Sequence, residues 1–159
     1  MGQKPEITTI TLQNTPIKGD ISFKNVSFTY DDTNITALKN ISFEVNHGET
    51  IGILGKTGSG KSTILDLIGR LYDVSSGEIQ IDQVAIKNLN LTDLRKNIGY
   101  VPQDAFLFSD SIRNNIKFGK KGATETEVIE ASKNAVVHNN IIGFSKGYDT
   151  VLGERGVTL

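Results

Sequence analysis

Residues 55–63 read "GKTGSGKST", three glycines, two lysines and a Ser-Thr pair in nine residues, directly after the apolar run "TIGIL" of residues 50–54. Gly55, four further residues and then Gly60-Lys61-Ser62 fit G-x-x-x-x-G-K-[ST], a pattern that needs a strand before it and a helix after it. Both are indicated. "TIGIL" is short and almost continuously apolar, as a parallel strand buried on both faces is. "STILDLIGRLY" sets Ile64, Leu65, Ile68, Leu71 and Tyr72 along one helical stripe. The residue types have physical reasons. Glycine reaches backbone angles closed to other residues and lets N–H groups approach an anion with no Cβ in the way, so that successive N–H groups converge on phosphate oxygens. The helix N-terminus adds about half a positive charge, worth at most ~2 kcal/mol, too little alone to hold a triphosphate. Lys61 supplies a full charge to β- and γ-phosphates, and the Ser62 hydroxyl can complete the octahedral shell of Mg²⁺. Gly55, Lys56, Thr57, Gly58, Ser59, Gly60, Lys61, Ser62 and Thr63 are therefore read as a phosphate-binding loop. The competing reading is a flexible Gly/Ser turn between a strand and a helix.

Working outward, the patterning predicts two kinds of sheet. In "ISFKNVSFTY" the apolar residues alternate at Ile21 and Phe23, shift phase at Lys24-Asn25 and resume at Val26, Phe28 and Tyr30, which predicts one strand with a bulge. "ISFEV" alternates at Ile41, Phe43 and Val45, and "GEIQID" at Ile79 and Ile81, as antiparallel strands with one wet face do. "IGYV", residues 98–101, is a second candidate for a buried parallel strand. "TETEVIEASKNAVVHN" opens with Thr124 and Glu127 at capping-box spacing and predicts a helix with Val128, Ala131 and Ala135 on one face. Residues 1–19 carry Pro5, Pro16 and Gly19 without a sustained pattern and read as a linker or arm.

Composition excludes several classes. The chain has 159 residues, the size of one domain, with 37% apolar residues, enough for a real core. With 17 basic and 18 acidic residues it has no excess charge for a phosphodiester backbone, so nucleic acid is not the expected partner. It has no cysteine, which excludes disulfides and thiolate metal sites and fits a reducing cytosol. No apolar stretch reaches the length of a membrane span, and residues 1–10 lack a secretory core.

Beyond the loop, "ISFKNVSFTY", "ALKNISFEVNHGETIGILGKTGSGKSTILDLIGRLYDVSSGEIQID", "LRKNIGYVPQDAFLFSDSIRNNIKFG" and "GYDTVLGERGVTL" follow one another in the order seen in a known family. The sequence resembles the nucleotide-binding domain of ATP-binding cassette (ABC) transporters, most closely the exporter type, over nearly the whole chain from Asp20. The resemblance implies an α/β fold, a RecA-like P-loop NTPase core with an N-terminal antiparallel β subdomain, truncated before the signature and the second acidic motif. Residues 20–159 would then be a partial ATP-binding domain. It implies ATP and Mg²⁺ as cofactors, a transmembrane domain and a second nucleotide-binding domain in a head-to-tail pair as partners, and a place at the cytoplasmic face of a membrane. Tyr30 matches the aromatic that stacks on adenine, against the alternative of an ordinary sheet-face ring. Gln103, after "IGYV" and Pro102, resembles the glutamine that reaches Mg²⁺ and the attacking water, against the alternative of a solvated loop residue. "FLFSDSIRNNIKFG" and "GERG", residues 153–156, resemble parts that touch the transmembrane domain.

Some of the family's parts are missing from these residues. The Asp-Glu pair that supports Mg²⁺ and orients water is not present: "FLFSD" imitates it, but Ser109 interrupts the apolar run and Ser111 stands where Glu belongs. Neither His47 nor His138 lies where the family's switch histidine stands, and both read as surface or capping residues. Glu154 belongs to the transmembrane-contacting segment. The expected function is the MgATP-binding portion of an exporter ATPase, with Lys61 and Gln103 as its catalytic residues here, binding ATP but hydrolysing it poorly or not at all. The alternatives are a soluble ABC protein of translation or DNA repair, or a non-catalytic nucleotide-sensing module. In the family, strands encoded after the signature lie between the two buried parallel strands. A chain ending at Leu159 is thus expected to pair them abnormally or to complete its sheet with other copies.

Overall fold

The phase shift at Lys24-Asn25 is a bulge. In the computed structural model, which describes Ile7, residues 16–103 and residues 106–153, β1 (Ile21–Tyr30) pairs antiparallel with β2 (Ile35–Val45), and the register slips between Phe23 and Val26. Asn25 takes up the slip at φ 50°, a left-handed conformation that asparagine tolerates. Phe23, Val26 and Phe28 consequently all turn into the same core. On the other edge of β1, β3 (Ser76–Ile81) and β4 (Val84–Ala85) complete an antiparallel sheet in the order β2-β1-β3-β4. A Cβ on Gly77 would stand 2.3 Å from the Asn25 carbonyl oxygen, so the bulge and the start of β3 fit only with glycine there. β3 and β4 are joined by Asp82 (φ 50°) and Gln83 (φ 66°), the two left-handed residues of a type I′ turn. The Asp82 carboxylate also clamps the incoming chain: it accepts the N–H of Lys18 at 2.6 Å and those of Gly19 and Asp20 at 3.0 Å.

Two compact units share the described residues, one reaching to Tyr100 and the other starting at Val101. In the first, α1 (Lys61–Ile68) lays Ile64 and Leu67 on the sheet beside Leu38 and Ile79, and α2 (Leu91–Lys96) adds Leu94. Each such side chain, once buried, contributes about 1.5–3 kcal/mol. α2 starts at Asn90, whose side chain accepts the N–H of Thr92 and Asp93. α1 ends in a Schellman motif, in which Leu71 N–H donates to the Asp66 carbonyl and Arg70 N–H to that of Leu67. Arg70 holds the left-handed position (φ 47°) that glycine usually takes, is 2% exposed, and donates from Nε to Asp73 at 3.0 Å.

The second unit is helical. Ser111 caps α3 (Ile112–Lys117) by accepting the Asn114 N–H, and α4 (Glu125–Asn134) carries the capping box that its sequence announces. α5 (His138–Ile142) follows, and Ile112, Val128, Ile141, Tyr148 and Leu152 form the core.

The two expected parallel strands are not formed. Residues 50–54 and 98–101 join no sheet among the described residues, and Leu54 and Val101 are 97% and 89% exposed. A parallel strand exists only against a neighbour that satisfies its N–H and C=O groups, and the antiparallel sheet ends at β2 and β4. The helical stripes shift for a related reason. On α1 the sheet covers Thr63, Ile64 and Leu67, so that Leu65 is exposed, and the helix ends before Leu71 and Tyr72. On α4 the partner of Val128 is Ser132, buried by a bond to Tyr148, while Ala131 and Ala135 face solvent.

Candidate phosphate-binding site

Gly60 is the N-cap of α1 at φ 85°, and a Cβ there would meet the Ala37 carbonyl oxygen of β2 at 2.4 Å and Leu38 Cδ2 at 2.8 Å. Only glycine lets the loop press this closely on the sheet. A Cβ on Gly55 would come within 2.4 Å of Ser59 Oγ. The loop is therefore a tight ring and not a slack turn. Because Gly60 supplies no side-chain cap and the first helical bond is Ile64 N–H to the Gly60 carbonyl, the N–H groups of Lys61, Ser62 and Thr63 have no partner within the helix. An anion is the natural complement to such an end.

Lys61 Nζ donates to the carbonyls of Gly55 and Lys56, each at 2.8 Å, which holds the ammonium across the loop mouth. Ser62 is exposed in the first turn, as are Lys56, Thr57, Gly58 and Ser59. Thr63 points inward at 5% exposure, and its Oγ1 lies 3.0 Å from the Tyr30 hydroxyl. Tyr30 therefore stands beside the loop, at the edge of a 480 Å³ cleft lined also by Phe28, Tyr72, Asp31 and Asp32. That volume lies within the range of small-ligand sites. Gln103 belongs to the second unit, where it stands exposed at a bend.

The donor set suits a magnesium phosphate. Among the described residues no three His, Asp or Glu side chains gather as a metal group. Mg²⁺ carried by phosphates needs only one or two protein oxygens and keeps several waters, and a hydroxyl such as that of Ser62 meets this need. Asp110, the imitation of a metal-supporting carboxylate, serves α3 instead: it accepts from Asn114 Nδ2 at 2.9 Å and from the Ser111 N–H. These bonds hold its carboxyl below the usual range.

Sequence reasoning missed two features. Tyr72, expected to be a helix-face residue, stacks edge-on against Tyr30. His138, expected at the surface, is part-buried, with Nδ1 2.8 Å from Tyr148 Oη, which in turn contacts Ser132. The proton inventory orients this chain. Ser132 gives its proton to the Ile129 carbonyl, so Tyr148 donates to Ser132 and His138 donates from Nδ1. No local motif marks either contact, since the partners lie in separate elements.

The ABC transporter family model matches residues 38–153, which span the loop, α1 and most of the second unit. The chain belongs to the ABC transporter family. Its antiparallel sheet, phosphate loop and following helix are the front of an ABC ATPase fold. It is 49% identical over 148 residues to "Uncharacterized ABC transporter ATP-binding protein YknU" of Bacillus subtilis (strain 168), covering 93% of this chain and 25% of that protein. It is 45% identical over 148 residues to "Heavy metal tolerance factor 1" of Caenorhabditis elegans, covering 93% of this chain and 18% of that one. Identity to the "ATP-dependent lipid A-core flippase" of Syntrophus aciditrophicus (strain SB) is 44% over 143 residues, or 90% of this chain and 24% of the flippase. Among solved structures, a bacterial Atm1-family ABC exporter with ATP bound superposes with a TM-score of 0.89 at 40% identity, over 97% of this chain and 27% of that one. This ABC chain thus spans about a quarter or less of the length of these relatives.

Proposed function

We propose that residues 55–63 hold the phosphates of MgATP, with Lys61 on the β- and γ-phosphates, Ser62 and Gln103 toward Mg²⁺, and the Tyr30 ring against the adenine. Residues 20–159 are then the front of an ATP-binding domain and residues 1–19 an arm before it. The protein to which they contribute couples ATP binding and hydrolysis to export, paired head-to-tail with a second nucleotide-binding domain beneath a transmembrane domain, at the cytoplasmic face of a membrane. The observation that carries the reading is the ring itself: a left-handed Gly60 pressed on β2, N–H groups of the first helical turn without helical partners, and Lys61 Nζ across the mouth. Relatives whose printed names speak of export and of bound ATP support it. The membrane spans of this reading are those of the proposed transmembrane domain; no helix among the described residues is long and apolar enough to cross a membrane. The exposed, mutually packed rings of Phe106, Phe108 and Phe118 offer a face toward them.

Mg²⁺ bound with the nucleotide neutralises charge that develops on the β- and γ-oxygens. In these residues the carboxylate that would orient water is not present, so the chain binds MgATP but releases phosphate only at a background rate. Titration calorimetry of the 159-residue chain tests the binding. Lys61→Ala is expected to weaken MgATP by at least tenfold, about 1.4 kcal/mol. Equal affinities refute the reading, and a turnover near 1 s⁻¹, ordinary for an enzyme, that disappears in Lys61→Ala refutes the missing carboxylate.

A further inference from the structure

Two rings and one hydroxyl hold Tyr30 in place. Phe28, two residues back on β1 and buried, meets it at 4.8 Å between centroids with the planes 81° apart. Tyr72, just past the end of α1, meets it at 5.4 Å and 85° and also touches Phe28 at 5.4 Å. The Tyr30 hydroxyl is tied to Thr63 Oγ1 at 3.0 Å, on the turn of helix that follows the phosphate loop. A flat side chain on a strand is otherwise free to swing about χ1 and χ2. Two perpendicular rings and a bond at the tip remove that freedom. Tyr72 is itself anchored from behind, because the Schellman turn that delivers it is locked by the buried Arg70 and its bond to Asp73. Both Tyr30 and Tyr72 line the 480 Å³ cleft.

We propose that Tyr72 is a positioning residue for the nucleobase: it fixes the plane of Tyr30 so that base stacking and phosphate binding share one rigid frame, with the Tyr30–Thr63 bond as the link between them. This rests on the reading of Tyr30 as the stacking ring. The role differs from that of the phosphate loop, which sees every polyphosphate alike. Tyr72 acts only on ligands that carry a base.

Two probes separate the readings: MgATP and magnesium tripolyphosphate, titrated into the wild-type chain and into Tyr72→Ala, Tyr72→Phe and Tyr30→Phe. Tyr72→Ala is expected to weaken MgATP about threefold to tenfold, the range that loss of one edge-to-face ring contact covers, and to leave tripolyphosphate unchanged. Tyr72→Phe, which keeps the ring, is expected to restore wild-type affinity. Tyr30→Phe, which cuts the tie to Thr63 but keeps the stack, is expected to lose about twofold to threefold on MgATP alone. If the wild type prefers ATP over tripolyphosphate and Tyr72→Ala keeps that preference in full, Tyr72 does not position the base. Equal losses for both probes in Tyr72→Ala, or no rescue by Tyr72→Phe, also overturn the proposal by making the defect a general one. If the wild type binds the two probes equally, there is no base stacking at Tyr30, and the underlying reading falls with it.

Discussion

Asp82 shows how much one carboxylate can do in a turn. Partial burial pushes its carboxyl up, but the N–H groups of Lys18, Asp20 and Gly19 and the nearby Lys18 charge outweigh that, and the pKa lies below the ordinary carboxylate value. A depressed pKa stabilises the fold at pH above the unfolded value near 3.9, and the contribution disappears as pH falls through the folded value. Asp82→Asn keeps a residue suited to the left-handed turn but removes the charge. It is expected to cost about 1 kcal/mol at pH 7, below the roughly 1.5–3 kcal/mol of buried charged hydrogen bonds because the group is partly solvated. Urea midpoints of the two proteins should converge below pH ~3.9. A gap that stays constant from neutral to acid pH would show that the charge does not contribute. Asp82 also illustrates what sequence reading reaches at this scale. The type I′ turn was expected by neither its residues nor their order, because Asp-Gln is not the usual Asn-Gly or Asp-Gly, and aspartate stands there for a clamp whose other half lies 62 to 64 residues away.

At the scale of the element, α4 ends with the same Schellman geometry as α1: Val137 N–H donates to the Ser132 carbonyl and Val136 N–H to that of Lys133. Val136 occupies the left-handed position at φ 59° and is 83% exposed. A β-branched residue there loses about 1–2 kcal/mol to the clash of its Cβ with the following carbonyl, against about 0.5–1 kcal/mol that glycine loses in chain entropy. Val136→Gly is therefore expected to stabilise the chain by about 0.5–1 kcal/mol, seen as a higher thermal midpoint. An unchanged or lower midpoint would contradict it. The start of this helix was legible and its end was not, for the same physical reason. Thr124 and Glu127 cap each other across three residues, and β1 writes its bulge as a change of phase; both are local. The burial of Ser132 in place of Ala131, and of Leu67 in place of Leu65, depends on which distant surface covers the helix. Residues 50–54 and 98–101 were read as strands from their apolar character, which records a need for cover but not its source.

Across the whole molecule, unmet need for cover has a measurable result. Leu54, Val101, Phe106 and Phe118 are exposed, the last by 74%, and apolar surface that no neighbour covers recruits other chains. The 159-residue chain is expected to self-associate as its concentration rises, with light scattering as the check, and a clean monomer throughout the series would refute it. The loop proposed to hold phosphate is legible as a pattern because all its residues lie within nine positions, whereas Tyr72 and His138 meet partners that only the folded chain brings near. The Asp82 clamp has a further consequence at this scale, and it is mechanical. A strand pulled from its end normally peels away one hydrogen bond at a time. A pull arriving through residue 17 instead meets three N–H bonds to one side chain and a fourth, from Asp82 N–H to the Asp20 carbonyl at 2.9 Å, loaded together. Tension entering at residue 17 is thus shared between the start of β1 and the turn that joins β3 to β4, so these strands resist it as one unit and little of the displacement is lost as slack.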